Sequence, residues 1–459
     1  MIQSLFILSP TGEVLIERHF RGVVTSRSVC DTFWDRASES INHHGGVSAI
    51  SDHEELYDSV PPVMEVPGSD QGTLYVISCL RDGLSYLAVC PAEVSPLLIL
   101  EFLHRVADIF VDYFGFPADE SAIKDNFSTV YQLLEEMVDY GWPLTTEPNA
   151  LKAMIRPPTV MSKLLQSTTV VSDELPSGTV SNMPWRTADV SYSQNEIYVD
   201  IVEEVDAIVD ASGAVISSDV SGSIQCQCQL SGVPDLLLTF KDPTIIDDWS
   251  FHPCVRYSRY EEDSVVSFVP PDGNFELMSY RIVPEKVRSL NPPVFCHPKW
   301  NYGDRSTTSG DMRTGRVTLH AGVTTLSSLV FSPSHKGPVV VEDFCVNIPF
   351  PRQTRSTSNL RVDFGTAVYN EAAKVLRWNL GKMDASKKAS LTCSFSFVSP
   401  KVGEEEALDP PHLSLNWKIP LASVSGLTVS GLSVTRESYH PYKGVRNIAK
   451  SGIFQVRCS

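Results

Sequence analysis

Hydrophobic residues between positions 1 and 115 fall into short strand-like runs and longer stretches with helical spacing. Runs at 2–8 and 14–20 flank the turn sequence Ser-Pro-Thr-Gly, and runs at 74–79 and 84–90 flank Arg-Asp-Gly. Apolar runs on either side of such turns predict antiparallel hairpins. This part of the chain is therefore expected to mix strands with helices.

Two helices are predicted beside these hairpins. Ser26 can cap a helix over 28–40, because a serine hydroxyl can accept from a free N–H at a helix start. Ser95-Pro96 opens a second helix, which Gly115 ends. The segment 41–72 is rich in Gly, Ser, Asp and Pro and is predicted to be a polar loop.

The clearest helical period of the chain comes next, and its apolar residues are predicted to be core. They are Ile123, Phe127, Val130, Tyr131, Leu134, Met137 and Val138. Gly141 stands where the helix would end, and Pro148 starts one more short helix. Periodicity is then lost over 157–190, where Ser, Thr and Pro predict a linker.

From residue 196 onward the pattern changes to β-rich runs with turn sequences between them. The runs lie at 197–201, 215–220, 235–240, 264–269, 275–283 and 339–348. No long helical pattern interrupts them, so this half is predicted to be all-β. It is large for one sandwich, and we therefore expect two packed β-sandwich subdomains.

Charge and cysteine usage narrow the class of protein. The net charge of −18 disfavours a nucleic-acid partner. Residues 1–185 hold 10 basic and 25 acidic side chains, whereas 281–459 hold 23 and 13, so the last part could meet an acidic surface. The ten cysteines include no CxxC pair, which indicates a reducing cytosol. No apolar run reaches the roughly 20 residues of a membrane span.

Catalytic motifs are not apparent, and the sequence calls for no enzyme activity, cofactor or metal. Phosphate-binding, dinucleotide-binding, zinc-protease and nucleophile-elbow patterns are all missing. Cys226 and Cys228 would face one side of a strand, and buried free thiols are the favoured interpretation over a redox pair.

Several stretches nevertheless resemble one family. Residues 1–141 resemble a longin-type domain, and NEIYVDIVEE at 195–204 resembles the opening of a mu homology domain. Further similar stretches are LSGVPD at 230–235, FHPCVRY at 251–257, SFVPPDG at 267–273 and SGIFQVRCS at 451–459. In this order they resemble the medium (mu) subunits of clathrin-type adaptor complexes. PLTTEP at 143–148 and YKGVR at 442–446 resemble most the medium chain of adaptor complex 3.

The resemblance implies an α+β fold class with three parts. These are a longin-like mixed α/β core domain at 1–145, a short helix and linker at 146–190, and an all-β mu homology domain at 191–459. It also implies a heterotetramer with two large subunits and one small subunit. A linker between the domains suggests that the β-domain moves to expose a binding site.

The implied function is cargo recognition for vesicle-mediated transport. Medium subunits bind YxxΦ sorting signals, where Φ is a bulky hydrophobe, in the cytosolic tails of membrane proteins. The tail is captured as an added strand. The expected route runs from Golgi and endosomes to lysosome- or vacuole-type organelles. The complex would be peripheral on the cytosolic face of those membranes and of transport vesicles, recruited with a small GTPase.

The resemblance also assigns residues to the tyrosine of the signal. Asp200 matches the carboxylate that accepts the tyrosine hydroxyl, and Arg446 completes this polar end and balances Asp200. Tyr198 lies two positions before Asp200 and would pack on the tyrosine ring. Gln227 and Gly444 complete the tyrosine pocket.

A second pocket is implied for the Φ side chain. Its matching residues are Val199, Val429, Leu432 and Val445. Plain strand core is the other interpretation of these four. Three of them come from the far end of the chain, so the two ends of the β-domain must pair as neighbouring strands.

Two positions depart from the plasma-membrane adaptor, and they motivate alternatives. Gln227 stands where that adaptor has a lysine, and Gly444 stands where it has a tryptophan that stacks on the tyrosine. We therefore expect weaker binding and a more open tyrosine pocket. The alternatives are a structural subunit with a weakened pocket, a lipid-binding module, and a medium chain of another adaptor complex or of the coatomer or muniscin groups.

Overall fold

The computed structural model describes most of the chain as two compact units. The described residues are 1–43, 60–68, 72–158, 183–283, 292–303, 312–324, 330–331, 340–351, 354–384, 387–398 and 412–458. The first unit spans 1–187 and the second spans 188–459. The predicted linker falls largely on 159–182, outside the described residues.

The first unit is built on an antiparallel sheet. Its strands are β1 (Ser4–Leu8), β2 (Val14–His19), β3 (Val63–Gly68), β4 (Gly72–Arg81) and β5 (Leu84–Cys90). They lie in the order β2-β1-β5-β4-β3, which contains both predicted hairpins. The polar loop predicted for 41–72 is wrong where β3 forms, because its alternating Met64 and Val66 are buried in the core on the side of the sheet that residues 29–37 cover.

Helices cover both faces of this sheet. They are α1 (Ser28–His43), α2 (Pro96–Phe114), α3 (Glu120–Asp125), α4 (Phe127–Met137) and α5 (Pro148–Met154). Residues of α2 to α5 form one core with Leu5 and Ile7, whereas α1 forms another with Phe6 and Leu8. Side chains of β1 alternate between these two cores, so the whole strand is buried. Two short strands, β6 (Val138–Asp139) and β7 (Trp142–Pro143), follow α4.

The long helix predicted for 123–138 is wrong in two respects. It breaks at Asn126, whose φ of −125° and ψ of 24° are not helical, so α3 and α4 are separate. Phe127 and Tyr131 are exposed rather than core, although their neighbours in the stripe are buried. Ile123, Val130, Leu134 and Met137 still share one buried face across the break, whereas Phe127 and Tyr131 lie at its exposed margin.

The second unit is almost entirely β, as predicted. Its longest strands are β8 (Glu196–Val209), β9 (Val215–Gln229), β13 (Gly273–Ile282), β15 (Met312–Val323), β17 (Val340–Pro349), β20 (Val375–Asp384), β21 (Lys388–Val398) and β25 (Tyr442–Val456). The shorter strands are β10 (Asp235–Phe240), β11 (Ile246–Phe251), β12 (Val265–Phe268), β14 (Val294–Asn301), β16 (Val330–Phe331), β18 (Thr354–Val362), β19 (Thr366–Asn370), β22 (Leu413–Pro420), β23 (Ala422–Ser423) and β24 (Val429–Thr435). One short helix, α6 (Tyr257–Asp263), was not predicted.

A nine-stranded sheet is shared by two sandwich halves. Its order is β11-β13-β9-β8-β25-β22-β17-β20-β19. The sheet β12-β10-β24 covers one end, where the rings of Phe268 and Phe275 lie 6.5 Å apart. The sheet β14-β15-β21-β18 covers the other end, where Phe395 packs on Phe350 at 5.3 Å. This agrees with the two predicted β-sandwich subdomains.

The paired cysteines of β9 belong to the interior of the first sandwich half. Cys226 and Cys228 are both buried on the same strand face, and neither forms a disulfide. Burial raises the pKa of the Cys226 thiol well above its ordinary value. These observations confirm the prediction of buried thiols.

Candidate functional site

Parallel pairing of β8 with β25 brings the two ends of the second unit together. Asp200 is in register with Arg446, and Tyr198 with Gly444. Side chains at even positions of β8 point outward, because burial alternates strictly along the strand. Asp200 and Tyr198 therefore share the outer face of the nine-stranded sheet.

Asp200 and Arg446 form a bidentate ion pair on this face. Arg446 Nε donates to Oδ1 and Nη2 donates to Oδ2, each at 2.5 Å. This hydrogen bonding raises the pKa of the Arg446 guanidinium. The Asp200 side chain is 21% exposed. A carboxylate offers about four lone-pair sites, so the pair leaves acceptor capacity for a further donor.

The ring of Tyr198 occupies the space above Gly444. A Cβ atom built on Gly444 would lie 2.6 Å from Tyr198 Cδ1. The Tyr198 hydroxyl donates to Glu196 Oε2 at 3.0 Å, which raises the Tyr198 pKa, and the ring lies 5.6 Å from that of Tyr442. The more open tyrosine pocket expected at Gly444 is therefore wrong for this conformation, because Tyr198 fills the gap.

Gln227 lies on the other side of Tyr198. It is the register partner of Tyr198 across β8 and β9, and it is exposed. The structure thus brings together all five residues assigned to the tyrosine pocket, on three neighbouring strands. Glu196 was not assigned from the sequence, although its position two residues before Tyr198 places it on the same strand face.

The four residues assigned to the hydrophobic pocket lie on two sheets. Val199 is fully buried and is the register partner of the half-buried Val445. Val429 and Leu432 are half-buried on β24 of the smaller sheet. The two sheets are linked here, because Lys443 Nζ donates to the Leu432 carbonyl oxygen at 2.9 Å.

The first part of β25 is a strand edge. Its pairing with β22 runs from Val456 back to Ile448. Residues 442–447 therefore pair with β8 on one side only, and among the described strands none pairs with their other side. An edge of this kind presents backbone N–H and C=O groups in strand geometry.

The described residues offer little support for a metal site or a membrane-spanning helix. Among the described ranges, no group of three or more His, Cys, Asp or Glu side chains is placed to hold a metal ion. Within the same ranges, every helix is too short or too polar to cross a membrane.

Comparisons with known proteins agree with these features. A sequence model of the adaptor complexes medium subunit family matches residues 183–458. The chain is 41% identical over 461 residues to the AP-3 complex subunit mu of Dictyostelium discoideum, with 100% of each chain covered. It is 39% identical over 460 residues to AP-3 complex subunit mu-1 of Homo sapiens, again with 100% of each covered.

A structural comparison shows the same fold. A chain from a homology model of the full-length AP-3 complex in an intermediate open conformation aligns with a TM-score of 0.53 and 15% identity, covering 100% of each chain. The sequence matches extend over both units. This chain therefore belongs to the medium subunit family of adaptor complexes.

Proposed function

We propose that this chain is the cargo-binding medium subunit of a heterotetrameric adaptor complex and recognises YxxΦ signals in cytosolic tails of membrane proteins. The observation that carries the proposal is the bidentate Asp200–Arg446 pair beside the free edge at 442–447. One feature recognises a hydroxyl, and the other recognises an extended backbone.

The ion pair supplies the polar end of the site. A tyrosine hydroxyl donates to Asp200 while Arg446 holds the carboxylate in one orientation. A hydrogen bond to a charged group contributes about 1.5 kcal/mol, the lower end of the usual range, because Asp200 is partly open to water. Phenylalanine in the signal would lack the donor, so this end selects tyrosine.

The strand edge supplies the sequence-independent part of the affinity. A peptide that pairs with 442–447 extends the nine-stranded sheet by one strand. Its alternate side chains then face the outer surface with Asp200 and the sandwich interior with Val445. The Φ side chain is proposed to insert beside Val445, Val429 and Leu432, which are half-buried and so retain accessible apolar surface.

Weak binding is part of the proposal. Gly444 provides no stacking ring of its own, and a signal tyrosine must displace or stack on the Tyr198 ring that lies above it. A missing aromatic contact removes about 0.5–1.5 kcal/mol. We therefore expect dissociation constants in the micromolar range or weaker.

Partners other than cargo are proposed through the first unit. It exposes large apolar side chains, among them Leu97, Phe116, Trp142 and Leu144. Exposed apolar groups of this size are typical of surfaces that partners cover. We propose that two large subunits and one small subunit assemble with this chain, and that a small GTPase recruits the complex to Golgi, endosome and vesicle membranes. Transport then leads to lysosome- or vacuole-type organelles, without enzymatic activity in this subunit.

Calorimetry with the full chain tests the proposal. A YxxΦ peptide is titrated against wild type and Asp200→Ala, and an Ala-for-Tyr peptide is titrated against wild type. Binding that requires both the tyrosine and Asp200 supports cargo recognition at this site. No binding at millimolar peptide would reject it.

A structural subunit with a weakened pocket is the second candidate. The Tyr198–Glu196 hydrogen bond motivates it, because it holds a ring where the stacking contact of the signal tyrosine would lie. In that case the full chain would assemble with its partner subunits and bind no YxxΦ peptide. The calorimetric titration separates the two candidates.

A further inference from the structure

Glu203 is a buried carboxylate on β8, on the face opposite Asp200. Its Oε2 atom accepts from the backbone N–H of Val424 at 2.6 Å and of Ser425 at 3.1 Å. Its Oε1 atom accepts from the hydroxyls of Ser425 at 2.5 Å and Ser423 at 3.1 Å. The carboxylate is 0% exposed, so these donors replace its hydration.

The two serines extend this network along the chain. Ser423 Oγ accepts from the N–H of Gly426 at 2.9 Å, and Ser425 Oγ accepts from the N–H of Leu427 at 3.0 Å. Every backbone N–H of 424–427 is therefore bound to Glu203, either directly or through one hydroxyl. One carboxylate fixes the course of this whole segment.

Asn447 holds the same segment from β25. Its side chain is 5% exposed, and Nδ2 donates to the Leu427 carbonyl oxygen at 2.8 Å. We call Glu203, Ser423, Ser425 and Asn447 the Glu203 network. It connects β8 and β25 to the segment between β23 and β24.

The Glu203 network connects strands that carry residues of both proposed pockets. Asp200 lies three residues before Glu203 on β8, on the opposite face, and Arg446 is the chain neighbour of Asn447 on β25. The fixed segment leads directly into β24, which begins at Val429. The network thus joins the strands that carry the ion pair to the strand that carries Val429 and Leu432.

Stability alone is a poor reason for such a network. Burying a carboxylate is unfavourable, and replacing buried ionic groups by apolar side chains is often neutral or stabilising. What buried polar groups do provide is a defined geometry, since each donor and acceptor must meet its partner. The geometry defined here is the position of β24 relative to Asp200 and Arg446.

We propose that the Glu203 network sets the distance between the tyrosine pocket and the hydrophobic pocket, and so selects signals with two residues between Tyr and Φ. Glu203 and Asn447 are positioning residues, because neither reaches the outer face where the tyrosine would bind. This inference rests on the proposed cargo function.

The test measures spacing selectivity with the full chain. Peptides with one, two or three residues between Tyr and Leu, and a two-residue peptide with Ala at Φ, are titrated against wild type, Glu203→Gln, Ser425→Ala and Asn447→Leu. The control is Trp378→Phe, which removes a part-buried hydrogen bond from β20 to the Phe364 carbonyl oxygen in the turn between β18 and β19. Strand β20 is separated from β25 by β22 and β17 in the nine-stranded sheet. Ser425→Ala is the mildest change and covers the case in which Glu203→Gln fails to fold.

Wild type is expected to prefer the two-residue spacing and Leu over Ala at Φ. In the network variants, the preference for two-residue spacing and the preference for Leu at Φ should each fall by about five- to tenfold, the size of coupling within one hydrogen-bond network. Binding should still depend on the tyrosine of the peptide. A purely structural role would weaken all peptides equally, as in the control, and unchanged preferences in all three variants would overturn the inference. If wild type bound none of the peptides in a tyrosine-dependent way, the proposed function would be rejected, and this inference with it.

Discussion

Arg446 lies directly beside Asp200 in the parallel register of β25 and β8, and its guanidinium donates two hydrogen bonds to the carboxylate. The two residues are 246 positions apart in the sequence. The same two strands carry a second ion pair, between Lys450 and Glu204, on the same outer face. This repetition supplies an internal control for the proposed tyrosine site.

Removing the charge of Asp200 should weaken YxxΦ binding. Asp200→Asn loses a charge-assisted acceptor, and Arg446→Lys loses the two-pronged geometry that orients it. We expect each to lower affinity for the peptide by about tenfold or more, because each 1.4 kcal/mol is tenfold. Calorimetry with the full chain measures the loss. Glu204→Gln breaks the neighbouring pair and should leave affinity within about twofold; an equal loss there would point to a general effect on the sheet.

Adding a ring at position 444 should strengthen binding. Gly444→Trp supplies a stacking surface worth about 0.5–1.5 kcal/mol, or roughly two- to twelvefold in affinity. Tyr198 must move, since its ring lies where the new Cβ would be. Parallel titrations with YxxΦ and Ala-for-Tyr peptides measure the gain, which should be confined to the tyrosine peptide. Lower affinity for the tyrosine peptide would indicate that Tyr198 does not yield.

Phosphorylation of the signal tyrosine should weaken binding by at least about tenfold. A phosphate carries about −1.5 to −2 charges at neutral pH and would meet the Asp200 carboxylate. Fluorescence anisotropy with paired labelled peptides should show at least about a tenfold preference for the unmodified one. Asp200→Asn should narrow this preference, because the repelling charge is gone while Arg446 remains. Equal binding of both peptides to wild type would contradict the assigned geometry.

The stability of the segment at 424–427 should fall as pH rises. Burial raises the pKa of the Glu203 carboxyl, and the hydrogen bonds from Ser425, Val424 and Ser423 offset this only in part. A raised pKa in the folded state means that the folded chain binds the proton more tightly than the unfolded chain. The stability that the protonated Glu203 adds to the folded state is therefore fully present below the ordinary carboxyl pKa of about 4.3. It is lost as pH rises through the pKa that Glu203 has in the folded state.

Hydrogen exchange at the amides of Val424 and Ser425 measures this effect. As pH rises above the ordinary carboxyl pKa of about 4.3, wild type should lose protection relative to Glu203→Gln, which has no carboxyl to titrate. Tyr280 also interacts with Glu203, and burial raises the Tyr280 pKa well above its ordinary value, so Tyr280 stays neutral while Glu203 titrates. A constant ratio between the two proteins would contradict the prediction.

Local patterns predicted much of the fold, because they report which side of an element is buried. The alternation of β8 placed Asp200 and Tyr198 on one face, and Pro96 and Gly115 marked the ends of α2 correctly. The break at Asn126 was missed, since an apolar stripe with unbroken spacing does not reveal that one backbone residue within it is not helical.

Other features depend on contacts between distant positions. The contact between Gly444 and the Tyr198 ring arises only when β25 pairs with β8. Glu203 was likewise not singled out, because its partners lie some 220 positions away. The only local sign of its burial is that Glu203 lies in phase with the apolar residues of β8. Its hydrogen-bond partners cannot be read from the strand pattern.

The parallel pairing of β25 with β8 has a consequence for synthesis. Strand β8 emerges early and must wait for β25, which enters the sheet between β8 and β22. A nascent chain that has not passed residue 446 lacks half of the tyrosine site, and its β8 has an unpaired flank. Under the proposed function, ribosome-bound and prematurely terminated chains would bind no tyrosine signal, so they would not compete with the assembled subunit for cargo tails.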